Sequence, residues 1–361
     1  MQNTVRPLSA IQQLRALGRA TALSLTAAAL LWSSLPAQAQ TAQKAQPPAA
    51  TVATPTADAN CPQIAPTTPE QLAALSQQNH PDRGVLWELH KGEQRAYLLG
   101  TIHLGKPEWI FPGPITHQAI SNAPAIALEL DPLDANNTRV LSQYMMQDSD
   151  VQKLILRNNP QINQRLEHLA STLCVASPQF SQLGSIGKTL TLVMMDSVKA
   201  GYSMLFGVDL MLAATAQKTN KPVLALETVQ EQIKAMGLGS NKLADSATPA
   251  DFDKALGDIE SGKNRDMLQQ LATHWQQGDL AALDEMMRTC NCMDDIGTKT
   301  ALLDERNARM AERIPAMLNK YPNLFIAVGL LHMVGENNLL QMLEKQGFSV
   351  QQLTGVGAVA Q

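Results

Sequence analysis

The sequence predicts an α/β fold: a mixed β-sheet with an N-terminal hairpin and large helical insertions. Three observations carry that reading. Short apolar runs bounded by Gly, Pro and Asp recur at strand length, at 85–90, 96–103, 125–130, 222–227 and 323–329. Between the third, fourth and fifth of these lie two long stretches, about 134–220 and 229–320, that read as helical and show few strand signals. The first two runs are joined by the short turn Lys91-Gly92-Glu93-Gln94, which makes them an antiparallel pair in an otherwise strand–helix alternation.

Taken in order, the chain opens with Arg6, Arg15 and Arg19 as the only charges before an apolar stretch at 21–35. The small-residue site Ala37-Gln38-Ala39 follows, the layout of a secretory signal peptide spanning 1–39 that is cleaved to leave Gln40 first. The apolar run is too short and too rich in Ala and Ser for a membrane anchor, and no later run reads as a membrane span. Residues 40–67 are rich in Ala, Pro, Thr and Gln and have almost no bulky apolar side chains. Such a segment cannot bury enough surface to offset its ordering entropy, so a flexible linker is expected. A helix start follows at Thr68-Pro69-Glu70, with an N-cap hydroxyl and Pro in the first turn. From there to 361 a single domain is expected, exported to the periplasm or secreted.

The chain carries a formal net charge of -4. Residues 1–39 hold three arginines and no acid, so the mature part has 25 basic against 32 acidic residues, a net of -7. An acidic body without basic runs argues against nucleic acid or an anionic membrane as partner. All four cysteines, Cys61, Cys174, Cys290 and Cys292, lie in the mature part, which permits two disulfides after export. Cys290 and Cys292 stand too close in sequence to bridge each other easily, so Cys174 with one of them is the expected pair. A Cys-x-Cys metal site is the sharper alternative, but no His stands beside it. The Met-rich stretch at 190–195 reads as core filler.

Two Gly-x-x-His motifs, Gly100–His103 and Gly329–His332, each follow an apolar strand. At the carboxyl edge of an α/β sheet, strand ends deliver side chains to the crevice where ligands bind. Gly lets the backbone turn sharply there and leaves room for a substrate or ion. Two imidazoles so delivered can serve one metal, or act as a base and an electrophile. The spacing alone is weak, since 21 Gly and 7 His generate about 0.4 such pairs by chance; its placement on two strand ends is what gives it meaning.

Glu129 sits at the end of an apolar run, where a carboxylate must be paired, metal-bound or at the mouth of a site. A salt bridge at the sheet edge is an equally good reading. With two His it completes a donor set that keeps a position open for water. The helix motif His-Glu-x-x-His is absent. Glu227 is a second strand-end carboxylate, a candidate base that can equally cap the next helix. Arg306 and Asn307, beside the apolar face marked by Leu302, Leu303, Met310 and Ile314, can steady an oxyanion or ligate through the amide oxygen, with solvated helix surface as the alternative. Asp209 begins a helix and reads as a cap or dipole partner. His80, His90, His117, His168 and His274 have no comparable context.

Taken in order, several stretches resemble the TraB/GumN/TIKI family, closest to its bacterial GumN-like branch. They are Leu99-Gly100-Thr101-Ile102-His103-Leu104-Gly105, Ala127-Leu128-Glu129-Leu130-Asp131, Gly207-Val208-Asp209, Leu224-Ala225-Leu226-Glu227-Thr228, Glu305-Arg306-Asn307 and Val328-Gly329-Leu330-Leu331-His332-Met333-Val334-Gly335. The resemblance implies an α/β sheet with helical insertions. For the animal TIKI members it implies metal-dependent proteolysis through both Gly-x-x-His motifs and a glutamate, which correspond here to His103, His332 and Glu129. The expectation is an exported metal-dependent hydrolase, a peptidase acting on peptide or protein with a divalent ion (Mn, Co or Zn). The alternative is a non-enzymatic protein that binds a peptide or small ligand, haem included.

Overall fold

A computed structural model describes residues 61–62, 68–238, 244–290 and 300–358. The signal peptide expected at 1–39 and nearly all of the linker expected at 40–67 lie outside these residues. The sheet is mixed and six-stranded, in the order β4-β3-β5-β2-β1-β6. The expected hairpin is β1 (Leu86–Lys91) and β2 (Gln94–Thr101), in register with Leu86 opposite Leu99. Its turn needs Gly92, whose φ of 60° is costly for residues with a Cβ. On the far side of β2 three parallel strands follow: β5 (Leu324–Gly329), β3 (Ile126–Leu128) and β4 (Val223–Ala225). β6 (Ser349–Gln352) closes the other edge, antiparallel to β1.

Consecutive residues of a strand face opposite sides of the sheet, and residues 324–328 are all buried, so both faces of β5 are covered. That explains why its sequence is a continuous apolar run. β3 and β4 stop short of the runs that encode them, yet their neighbouring backbones stay paired beyond the last strand residues. Leu226 N–H donates to Leu128 O (2.8 Å) and Glu227 N–H to Glu129 O (2.9 Å). The two glutamates are thereby set side by side.

Helix α1 (Pro69–Ser76) starts as expected, with a reciprocal capping box between Thr68 and Gln71. α2 (Pro114–Asn122) precedes β3. Between β3 and β4 lie α3 (Ala135–Met145), α4 (Asp150–Asn158), α5 (Pro160–Thr172), α6 (Ser185–Lys199) and α7 (Val208–Lys218). Between β4 and β5 lie α8 (Val229–Ala235), α9 (Pro249–Glu260), α10 (Lys263–Gln277), α11 (Leu280–Thr289) and α12 (Glu305–Lys320), and α13 (Leu339–Lys345) leads to β6. α5, α6 and α9 share an apolar cluster of their own through Ile162, Leu166, Leu192, Phe252 and Leu256. The insertions therefore meet each other across the chain. Met194 and Met195 pack into apolar clusters, the filler role read from the sequence.

α12 carries Pro315 in its interior. Proline has no N–H to donate, so the carbonyl four residues earlier, at Ala311, loses its helical partner. Gln346, at the end of α13, supplies the missing donor: its Nε2 reaches Ala311 O at 3.0 Å. The pairing pins α13 to the helix that carries Arg306 and Asn307.

The disulfide differs from the expected one. Cys174 bonds to Cys61, across 113 residues. Cys290 is also in a disulfide, whose other half lies outside the described residues, as does Cys292. The Cys61–Cys174 bond ties the segment before α1 to the turn after α5, a contact that no local signal encodes. Because the closed loop is long, reduction or Cys61→Ser is expected to lower unfolding free energy by about 2–4 kcal/mol. Denaturant titration with and without reductant checks this. Among the described residues no helix is long and apolar enough to cross a membrane.

Candidate functional site

β2, β5 and β3 are adjacent and parallel, so their carboxyl ends share one edge of the sheet. Thr101 pairs with Gly329 at that edge, and Leu128 with Ala327 one step behind. His103 lies two residues beyond β2. His332 is carried on a single 3-10 turn, Leu330–Met333, directly after β5. Glu129 is the first residue past β3. The topology brings all three to one place.

The glycines do this work differently from expectation. Neither Gly100 nor Gly329 has a positive φ, so no sharp left-handed turn is involved. They are small because the space is taken. A Cβ on Gly100 would stand 2.2 Å from Leu330 Cδ1, inside contact distance. A Cβ on Gly329 would stand 3.2 Å from Glu129 Oε1, 3.8 Å from His332 Cδ2 and 3.9 Å from His103 Nε2. One point at Gly329 is thus within 4 Å of all three side chains.

Each imidazole is held from behind. His103 Nδ1 is 2.7 Å from Asp209 Oδ2, and the other oxygen of Asp209 accepts from Thr101 Oγ1 at 2.8 Å. A carboxylate only accepts, so His103 Nδ1 carries a proton and Nε2 turns forward. His332 Nδ1 is 2.6 Å from Asn307 Oδ1. Asn307 Nδ2 donates to Asn337 O at 3.1 Å, which leaves its oxygen to accept. His332 therefore also carries its proton on Nδ1. Its Nε2 is buried, has no hydrogen-bond partner among the described residues, and stands 3.6 Å from Glu129 Oε1.

Glu129 is fixed at both oxygens. Oε1 accepts from Gly329 N–H (2.6 Å), while Oε2 faces Arg306 Nη2 (2.5 Å) and receives a longer contact from Gln232 (3.4 Å). Arg306, 2 % exposed, also grips Glu227 through Nε and Nη2 and donates to Leu302 O. Burial alone would raise the Glu129 pKa; Arg306 overrides it and, with both histidines and the Gly329 N–H, holds the carboxyl well below its usual range. Burial alone would lower Arg306, but the two glutamates raise it above an ordinary arginine. Burial, then the Arg306 charge, depress His332 to about 3, so it is neutral. His103 is pushed down by burial but raised more by Asp209, ending at about 8.

His103, His332 and Glu129 line a single cavity of about 40 Å³, walled on the other side by Leu268, Leu271 and Trp275. Asn307 stands behind His332 rather than in the cavity. Glu227 and Arg306 do not line it either. The expected oxyanion-steadying role for Arg306 does not fit, because its guanidinium is consumed by two carboxylates. The base role for Glu227 does not fit, because its side chain is 0 % exposed and clamped by that guanidinium. Asp209, read from sequence as a helix cap, and Thr101 were missed. Nothing local separates Asp209 from an ordinary first-turn acid. It reaches His103 because the start of α7 is strapped to the exit of β2: Val208 N–H donates to Ile102 O (3.0 Å), and Gly207 packs on the His103 carbonyl so closely that a Cβ would lie 2.3 Å from it.

Among the described residues no group of three or more His, Cys, Asp or Glu side chains stands together so that it could hold a metal ion. The donor chemistry nevertheless fits an ion. It combines a buried, unpartnered imidazole nitrogen, a second imidazole held from behind by a carboxylate, and a glutamate oxygen on the same small cradle. The Arg306 guanidinium beside Glu129 works against a cation there, and the Glu227 carboxylate offsets it.

Fold and site together define a class: an α/β protein whose two parallel strand ends set paired histidines against a buried glutamate–arginine network. The chain belongs to the TraB/PrgY/gumN family, whose profile matches residues 85–352. It is 26% identical to the uncharacterized protein YbaP of Escherichia coli, over 70% of this chain and 89% of that protein. It is 24% identical to the metalloprotease TIKI1 of Danio rerio, over 74% of this chain and 62% of that protein. A similar likeness, also 24%, joins it to human metalloprotease TIKI1, over 77% of this chain and 63% of that protein. No solved structure matches the chain.

Proposed function

We propose that the protein is an exported, metal-dependent hydrolase acting on peptide or protein substrates. The observation that carries the reading is the bare, buried Nε2 of His332, aimed at Glu129 within a cavity that His103 also lines. A lone pair kept dry and unpartnered costs stability, and ligand binding is the use that compensates for it. His332 stays neutral and offers that lone pair; His103 offers the second, once its Nε2 is free of a proton. Glu129 supplies the negative charge, and Arg306 with Glu227 keeps it ionised and aimed. When bound there, a divalent ion (Mn, Co or Zn) supplies Lewis acidity that polarises a carbonyl and activates water. The apolar wall of Leu268, Leu271 and Trp275 excludes bulk water and strengthens every charge in the cavity.

Two metalloprotease relatives and the disulfide support this reading, peptidase and export respectively. The ligand-binding alternative predicts capture without turnover.

The test is metal content after loading with Mn, Co or Zn, together with peptide turnover before and after chelation. One ion per chain is expected, with turnover falling at least about 100-fold on chelation and in a folded His332→Gln variant. Undiminished turnover by the chelated protein would remove the reading.

A further inference from the structure

We propose that Asp209 is a positioning residue that fixes the His103 imidazole with Nε2 facing the cavity, and that Thr101 in turn fixes Asp209. The proposal rests on the functional reading above for its purpose, but its geometry stands independently. Asp209 Oδ2 lies 2.7 Å from His103 Nδ1 and Oδ1 lies 2.8 Å from the Thr101 hydroxyl, so both carboxylate oxygens are committed. Both residues are at least nine-tenths buried, Thr101 at 2 % exposure and Asp209 at 7 %. Thr101 is also the last residue of β2, in register with Gly329, so the anchor of Asp209 is the sheet itself.

A first-turn acid that served only the helix dipole would turn toward the helix N–H groups or solvent. Asp209 instead spends both oxygens on the β2 exit, and the backbone bond from Val208 to Ile102 holds α7 in the place that makes this possible. The arrangement matches that of His332, whose Nδ1 faces Asn307, a residue itself tied to Asn337. The two supports differ in one respect. A carboxylate behind His103 makes the ring a stronger donor; an amide behind His332 leaves it an ordinary one.

The test replaces Asp209 by Asn and Thr101 by Val or Ser. The Asn amide can present its N–H₂ to Nδ1 and force the proton onto Nε2. Nitrogen NMR of the neutral His103 ring, with His103→Gln as the assignment control, reads the tautomer directly. Calorimetry with Mn, Co or Zn alone reads ion affinity. Wild type is expected to carry the proton on Nδ1. Asp209→Asn is expected to move it to Nε2 and weaken ion binding about 10- to 100-fold. Thr101→Val should weaken binding to a lesser extent, and Thr101→Ser should restore it. A wild-type ring protonated on Nε2, or a folded Asp209→Asn variant with unchanged tautomer and affinity, overturns the proposal. If wild type binds no ion yet Asp209→Asn still switches the tautomer, the positioning role stands and the metal reading alone falls. Should Asp209→Asn fail to fold, the wild-type spectrum and the Thr101 pair still decide.

Discussion

Arg306→Met is expected to lose about 3–5 kcal/mol of unfolding free energy, the cost of leaving buried carboxylates without their cation. Arg306 faces Glu129 and Glu227 at once, and all three side chains are buried. Arg309, part-exposed, stands 3.9 Å from Glu227, at the edge of ion-pair range, and so makes a weaker contact than Arg306 does. Methionine fills similar volume without charge, so the loss isolates electrostatics from packing. Denaturant unfolding measures it. The double variant with Glu227→Gln should recover part of the loss, and the cycle gives the coupling directly. A cost under about 1 kcal/mol for Arg306→Met would mean that water reaches these carboxylates and that the network is not the buried lock described.

The second expectation is a pH dependence with two opposed arms. A metal ligand must be deprotonated, and His103 holds its proton up to about 8. Ion affinity should therefore fall about tenfold for each pH unit below that value. Calorimetry at a series of pH values checks it, and a flat profile would show that His103 is not a ligand. Stability of the ion-free protein follows the same groups. The folded His103 pKa, about 8, lies above the ordinary histidine value of 6.5. Its contribution is complete below the unfolded value and lost as pH rises through the folded one. His332 has the opposite sign: at about 3 in the fold against 6.5, it must stay neutral, so stability is lost as pH falls below 6.5. Glu129, depressed as well, adds to the acid-side loss. The maximum should fall near 6.5, where the two opposed slopes cancel.

Much of this was legible in the sequence because burial on both faces writes strands as continuous apolar runs. β5 and β2 were read to within a few residues for that reason. β3 and β4 were read too long, since 129–130 and 226–227 remain apolar or buried while serving the site. The convergence of His103, His332 and Glu129 could be anticipated from strand ends and a family likeness. What stood behind them could not. Arg306 meets Glu129 across 177 positions and Glu227 across 79, and Asp209 meets His103 across 106. No periodicity or spacing records such pairings, and Arg306 read as an oxyanion contact or as solvated helix surface, not as the partner of two buried glutamates. The Cys61–Cys174 bond was not legible for the same reason: spacing shows which cysteines are close along the chain, not which are close in space.

The position of β5 has a consequence for timing. It is the fifth strand in the chain but lies between β2 and β3 in the sheet. Until it inserts, the strand ends bearing His103 and Glu129 have nothing between them, and His332 has not yet left its own strand. The pairings that complete the site are among the most distant along the chain, and such contacts form late because loop closure precedes any gain from them. The cavity that His103, His332 and Glu129 line is therefore expected to be complete only once residues 324–332 have joined the sheet. The order of the strands thus makes the cavity one of the last parts of the sheet to be assembled.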